Sequence, residues 1–212
     1  MLILSVFIAC VAGYLLGSLN FALIVSFVGY RKDIRKFGSG NAGMTNILRT
    51  FGKWPAVITL IGDFSKGMLA ILVGRLLICY LGGTPDFPFG DELVGLCALL
   101  GHVFPIYYGF KGGKGILVSA GIILMIDPIV FLIILLVFLL FFVCTRIVSL
   151  GSIAATIAYP IATLFRKLLA GAEFWDIAIP VVTACCFMAL VLYMHRENIR
   201  RLRSGEEPRI GK

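Results

Sequence analysis

"GILVSAGIILMIDPIVFLIILLVFLLFFVC", residues 115–144, is apolar almost throughout and carries one interruption, Asp127-Pro128. A helix needs about 20 apolar residues to cross the hydrocarbon core. Read as two segments, the first holds about twelve residues and spans about 18 Å. Proline disfavours helix at the residue before it, and an aspartate in lipid is costly, so the dipeptide predicts a tight turn at an interface.

Composition sets the medium in which this choice is made. Of 212 residues, 60% are apolar and only 14% are charged, which predicts a polytopic membrane protein. Apolar runs fall at roughly 3–28, 56–81, 93–109, 115–126, 128–144, 148–165 and 177–194. With the central run split, fifteen of the nineteen Lys and Arg residues share one face. They are Arg31, Lys32, Arg35, Lys36, Arg49, Lys53, Lys111, Lys114, Arg146, Arg196, Arg200, Arg201, Arg203, Arg209 and Lys212. The other face receives Arg166 and Lys167, while Lys66 and Arg75 lie inside the second run. The positive-inside rule then predicts about seven transmembrane helices, an outside N-terminus and a cytoplasmic C-terminus. Merging the central run would put the basic C-terminus outside. The expected fold is an all-α, polytopic integral membrane helix bundle forming a single domain over 1–212.

The net charge of +8 follows from this insertion bias and calls for no nucleic acid. No Lys or Arg precedes Arg31, so the first run reads as a retained span, and "FIAC" at 7–10 does not read as a lipoprotein box. The six cysteines lie in apolar runs, with no C-x-x-C pair and no His at metal-ligand spacing, so no metal or disulfide is expected.

The polar clusters "GSGNAGMTNILR" (38–49), "FKGGKG" (110–115), "RIVSLGS" (146–152) and "HRENIRRLRSGEE" (195–207) all fall on the predicted cytoplasmic face. Charge bias supplies lysines there, but not asparagines, serines and paired glycines. Four loops on one face predict one site. In "GHVFPIYYGFKGGKG" (101–115), Gly112, Gly113 and Gly115 allow the backbone to turn its amides toward one point. Lys111 and Lys114 flank the turn and a new apolar segment follows, which reads as a phosphate cradle. It is not a P-loop, because Gly115 stands where Ser or Thr would hold magnesium.

The literal G-x-G-x-x-G of Gly38, Gly40 and Gly43 suggests dinucleotide binding, but "RKDIRKF" precedes it instead of a buried strand. The acidic residue about 20 positions on is Asp63, within a span. What remains is a loosened loop bearing Ser39, Asn41, Thr45, Asn46 and Arg49, with Arg49 able to grip phosphate in a bidentate fork. Asp63 and Lys66, spaced i, i+3, are expected to pair. Arg75 is expected to snorkel to the outer interface. For His102 a packed role and a functional one are both open, and His195 reads equally as a surface residue of the tail or a functional one.

Taken in this order, "GSGNAGMTNILR", "DFSKG" (63–67), "GHVFPIYYGFKGGKG", "SLGSI" (149–153) and "HRENIRRLRSGEE" resemble the bacterial acyl-phosphate:glycerol-3-phosphate acyltransferases (PlsY) over essentially the whole chain. The resemblance implies a seven-helix enzyme of the bacterial inner (cytoplasmic) membrane with its active site facing the cytoplasm. It would transfer a fatty acyl group from acyl phosphate to the sn-1 hydroxyl of glycerol 3-phosphate, giving lysophosphatidic acid and phosphate. Met44 stands where the family typically has alanine, and Val118 where it usually has threonine. The implied catalytic set is Ser39, Arg49, Lys111, Lys114, Ser149, Ser152, His195 and Asn198. Substrate and phosphate contacts are expected from Gly40, Asn41, Gly43, Thr45, Asn46, His102, Gly112, Gly113, Gly115 and Glu207. No cofactor or nucleic acid is expected; the partners are the two substrates and membrane lipid, and the chain is expected to be a monomer.

Acyl phosphate is an activated mixed anhydride, so placement and charge neutralisation suffice for catalysis. No H-x-x-x-x-D is present, since Tyr107 lies five residues beyond His102 and Arg200 five beyond His195. The competing reading is a transporter of a phosphorylated metabolite. It predicts discontinuous helices meeting near the midplane.

Overall fold

The first apolar run does not become one helix. Leu2–Gly17 (α1) and Phe21–Tyr30 (α2) meet at a 40° bend around Ser18–Asn20. Asn20 is the cause within the sequence: it stays extended and its Oδ1 accepts from the Leu23 amide at 3.0 Å, starting a new helix. The break exposes backbone groups that lipid cannot satisfy. In the computed structural model, which describes residues 1–84 and 89–210, Lys53–Gly82 (α4) answers them. Asp63 Oδ1 accepts from the Phe21 amide at 3.2 Å, Lys66 Nζ donates to the Leu19 carbonyl at 2.7 Å, and the two side chains pair at 2.9 Å. The expected Asp63–Lys66 pair therefore forms, and it closes a helix break.

The chain divides into two compact units, Met1–Ile126 and Asp127–Lys212. In the first, α4 packs against α1, α2, Met44–Phe51 (α3), Gly90–Val103 (α5) and Ile116–Ile126 (α6). Without an aqueous driving force, close backbone approach supplies much of the attraction between such helices. A Cβ on Gly17 would collide with the Ala98 backbone where α1 meets α5, and one on Gly121 with the Phe64 carbonyl where α6 meets α4. Arg75 finds its partners at the end of the bundle predicted to face outward. It pairs with Asp91 of α5 at 2.6 Å and donates to the Met125 carbonyl at 2.7 Å.

In the second unit, Pro128–Thr145 (α7), Val148–Leu169 (α8), Phe174–Met194 (α9) and Arg196–Arg203 (α10) follow in order, with α8 packed on both α7 and α9. The helix break predicted at Asp127-Pro128 is present. Asp127 Oδ1 accepts from the Ile129 and Val130 amides at 3.0 and 3.2 Å, and Pro128 occupies a first-turn position that needs no donor.

Helices α4, α7, α8 and α9 are long and apolar enough to cross a membrane, and α1 with α2 makes a fifth if counted as one bent span. The run predicted to 109 ends earlier. Helix α5 stops at Val103 because Phe104 precedes Pro105, and a single 3-10 turn, Ile106–Tyr108, follows. Its 14 residues and the 11 of α6 reach about 21 Å and about 16 Å, short of a bilayer core of about 30 Å. Lys212, counted in the charge bias, lies outside the described residues.

Candidate active site

The 37–43 loop of the first unit is shaped from inside by Asn46. This side chain is buried on α3, and its Nδ2 donates to the carbonyls of Phe37, Asn41 and Ile34 at 2.9, 3.0 and 3.3 Å. Its Oδ1 accepts from the Ser39 amide at 3.1 Å. Both hydrogens and the oxygen are thus engaged by the loop itself, a shaping role that the sequence reading had not assigned to Asn46. Gly38 and Gly40 take positive φ, which lets seven residues fold back onto one amide. Ser39 and Arg49 stay exposed at the rim, with Gly40 beside them, while Asn41, Gly43 and Thr45 are half-buried.

In the second glycine loop the Gly112 amide donates to the Val103 carbonyl at 3.1 Å and the Gly113 amide to the His102 carbonyl at 3.2 Å, so these glycines cap the end of α5. Their small size serves close approach. A Cβ on Gly113 would collide with His102 Nε2 and stand 2.7 Å from the Ala42 carbonyl oxygen, which places this loop directly on the 37–43 loop. Lys111 is exposed and Lys114 half-buried on either side, and Gly115, at φ +91°, leads into α6. The pairing of the two glycine loops, read from sequence as one site, is present within this unit.

Arg35 was read only as a topology-setting charge, yet it ties these loops together. Its Nη1 donates to the Tyr108 carbonyl at 2.8 Å and to the Lys111 carbonyl at 3.2 Å. Nε and Nη2 grip Asp33, the Nη2–Oδ2 distance being 2.8 Å. That hydrogen-bonded pair holds the Asp33 carboxyl below its usual range and raises the Arg35 guanidinium. The acid in "KDIRK", alone among cations, was the sequence signal for this clamp.

His102 is buried, with Nδ1 2.8 Å from Lys66 Nζ and 3.7 Å from Asp63 Oδ1. The side chain is thus packed and hydrogen-bonded, with Gly113 of the second glycine loop against its Nε2.

In the second unit the organising group is Glu207. Ser149 Oγ donates to its Oε1 at 2.6 Å, Asn198 Nδ2 to the same oxygen, and Arg201 Nε to Oε2 at 2.7 Å. Burial opposes ionisation of Glu207, but the bonds from Ser149, Asn198 and Arg201, with the charge of Arg201, outweigh it and hold the carboxyl below its usual range. Glu207, expected to contact substrate, joins α8, α10 and the tail, and Arg201 is the partner that sequence reading missed. Ser152 is buried one turn along α8 from Ser149. His195 is not the surface residue of one reading. It is buried between α9 and α10, and its Nδ1 donates to the Val191 carbonyl at 2.8 Å, which leaves Nε2 as the acceptor of the neutral ring.

Residues 7–205 match the family described as glycerol-3-phosphate acyltransferase. A curated relative of that name from Macrococcus caseolyticus is 42% identical over 197 residues, with 93% of each chain covered. Another from Syntrophomonas wolfei is 42% identical over 204 residues, again covering 93% of each. Among solved structures, the chain is similar to PlsY (YgiH), an integral membrane glycerol 3-phosphate acyltransferase, in its glycerol 3-phosphate form. That likeness has a TM-score of 0.83 at 36% identity and covers 98% of this chain and 96% of that one. A second structure of PlsY, in its lysophosphatidic acid form, matches with a TM-score of 0.79 at 35% identity over the same shares. With a family match across most of its length and relatives at this identity, the chain belongs to the glycerol-3-phosphate acyltransferase family.

Proposed function

We propose that the protein transfers a fatty acyl group from acyl phosphate to the sn-1 hydroxyl of glycerol 3-phosphate, releasing lysophosphatidic acid and phosphate as the first step of phospholipid synthesis. The observation that carries this is the contact of two glycine loops that bear Ser39 and Lys111 and Lys114, with Arg49 on the helix that follows the first, in a chain whose structural neighbours are described in glycerol 3-phosphate and lysophosphatidic acid forms. Both substrates bring phosphate, and a basic loop pair is the group of donors that neutralises it.

The sn-1 oxygen attacks the acyl carbonyl carbon. The carbon–oxygen bond to phosphate breaks, and its electron pair leaves on the phosphate. The hydroxyl proton passes to a phosphate oxygen of the donor, a base delivered with the substrate. Lys111 and Lys114 stabilise the anionic charge and Arg49 orients the second phosphate, so catalysis is placement plus electrostatics. Glu207 keeps Ser149 and Asn198 in fixed orientation. His195→Gln with retained turnover at saturating substrate supports the donor phosphate as base, and abolished turnover in the folded variant assigns the proton to His195.

The chain acts as a single membrane domain and a monomer without cofactor. It crosses the bacterial inner membrane seven times, α5 and α6 included, with the N-terminus outside and the active site cytoplasmic. The charge asymmetry supports this orientation. Purified protein given acyl phosphate and glycerol 3-phosphate is expected to release lysophosphatidic acid and phosphate in equal amounts. Movement of glycerol 3-phosphate across vesicles with neither product formed would overturn the assignment in favour of transport.

A further inference from the structure

Beneath the loop junction lie three buried ionisable side chains, Asp63, Lys66 and His102, which the proposed reaction does not employ directly. Lys66 Nζ has three neighbours at hydrogen-bond distance: the Leu19 carbonyl oxygen at 2.7 Å, His102 Nδ1 at 2.8 Å and Asp63 Oδ1 at 2.9 Å. The carbonyl and the carboxylate can only accept, and the carboxylate supplies the counter-charge for an ammonium. An ammonium has three N–H bonds, one for each neighbour. The third is therefore directed at His102 Nδ1, which must be unprotonated, and the ring proton of a neutral imidazole then sits on Nε2.

The position of Nε2 gives this tautomer a use. It packs against Gly113, beside the stretch where the Ala42 carbonyl oxygen also approaches that glycine. The proton of the Nε2–H form therefore sits on the side of the ring that faces the contact between the two loops. The backbone of His102 is also engaged there, its carbonyl accepting from the Gly113 amide at 3.2 Å.

We propose that Lys66 is a positioning residue: it occupies the Nδ1 lone pair of His102, confines that ring to the neutral Nε2–H form, and so presents a hydrogen-bond donor where the 38–43 and 111–115 loops meet. This rests on the reading of those loops as the phosphate site. The same ammonium closes the α1–α2 break through Leu19, so the break and the loop junction are held by one charge.

The test uses the full chain in detergent micelles with 15N-labelled histidine and two-bond proton–nitrogen correlations, which distinguish the two tautomers. The chain has two histidines, and a His195→Gln spectrum assigns the remaining signal to His102. The expected result is an Nε2–H pattern for His102, opposite to the Nδ1–H pattern of His195. Asp63→Asn combined with Lys66→Met removes both buried charges together, and is expected to populate the Nδ1–H form of His102. Either an Nδ1–H or a doubly protonated His102 in the native protein would overturn the proposal.

Should the double variant fail to fold, two His102 variants keep the test decisive. His102→Gln places an amide N–H near the former Nε2 and is expected to raise KM for glycerol 3-phosphate about threefold; His102→Leu lacks the donor and raises it about thirtyfold, with kcat less affected in both. Equal effects of the two would overturn the donor role. The nitrogen signature needs no substrate. A native protein that shows it yet makes no lysophosphatidic acid overturns the proposed function and supports the Lys66 assignment.

Discussion

Asn46→Asp exchanges one NH2 group for oxygen at almost constant volume, and its effect follows from what that group touches. Nδ2 donates to the carbonyls of Phe37, Asn41 and Ile34 at a site 1% exposed. Two N–H bonds serve these three acceptors, and a typical net value of about 1 kcal/mol each makes their loss worth about 2 kcal/mol. Alanine incurs that loss and opens a small void, about 3 kcal/mol together. Aspartate incurs the loss and also brings a carboxylate against three carbonyl oxygens. Its escape is protonation, and each unit by which its pKa must rise costs about 1.4 kcal/mol. A rise of about two units brings the total to about 5 kcal/mol.

The closer mimic in shape is thus expected to be the more damaging. The introduced carboxyl would have a folded pKa above its unfolded value near 4, so the excess penalty grows as pH rises from about 4 toward the folded pKa. Stability of the Asn46→Asp and Asn46→Ala proteins in detergent, compared by denaturant titration at pH 5 and pH 8, reads this difference. Protease sensitivity of the 37–43 loop reads its location. If Asn46→Asp is as stable as Asn46→Ala at pH 8, the clamp does not face carbonyls as described and the reasoning fails.

Three further outcomes are expected. Gly113→Ala drives a methyl into His102 and to 2.7 Å from the Ala42 carbonyl oxygen, so the loops must separate; KM for glycerol 3-phosphate should rise about five- to 150-fold, from overpacking of about 1–3 kcal/mol, and unchanged kinetics would refute the junction. Arg35→Lys keeps the charge but cannot hold Asp33 and two carbonyls together. A loss of about 1–2 kcal/mol should appear in KM, and wild-type kinetics in this variant would rule out the clamp. Glu207→Gln loses a charge-assisted bond with Arg201 and should cost about 2–3 kcal/mol at neutral pH. Because the folded pKa of Glu207 is depressed, the native contribution is complete above about pH 5 and disappears as pH falls through that folded pKa. The two proteins should therefore converge in acid, and a constant gap in stability down to pH 3 would exclude the carboxylate as its source.

Much of the helical plan was legible because lipid imposes one strong demand, a long apolar run for each long helix. The Asp127-Pro128 turn was legible because both of its devices are local, a side-chain cap and a proline that needs no donor. The α1–α2 break was harder to see. Asn20 sits in a run that is apolar on both sides, and its capping bond to Leu23 exists only once the chain has bent. The contact between the two glycine loops was legible, and the hydrogen bonds that hold them were not. Asparagine side chains and glycine amides are polar donors, and sequence does not say which carbonyl the donors of Asn46, Gly112 and Gly113 will find.

By itself the sequence determined the medium, most of the long helices and the break at Asp127-Pro128, since each of these is governed by composition or chain-local sterics. Tertiary structure decided which polar groups shape the loops and which remain at their surface. Arg35 reaches Tyr108, Lys66 reaches Leu19 and His102, and Glu207 gathers Ser149, across separations of 73, 47, 36 and 58 residues. A buried donor or charge takes whatever acceptor the packed helices bring within about 3 Å, and only the folded chain sets that distance.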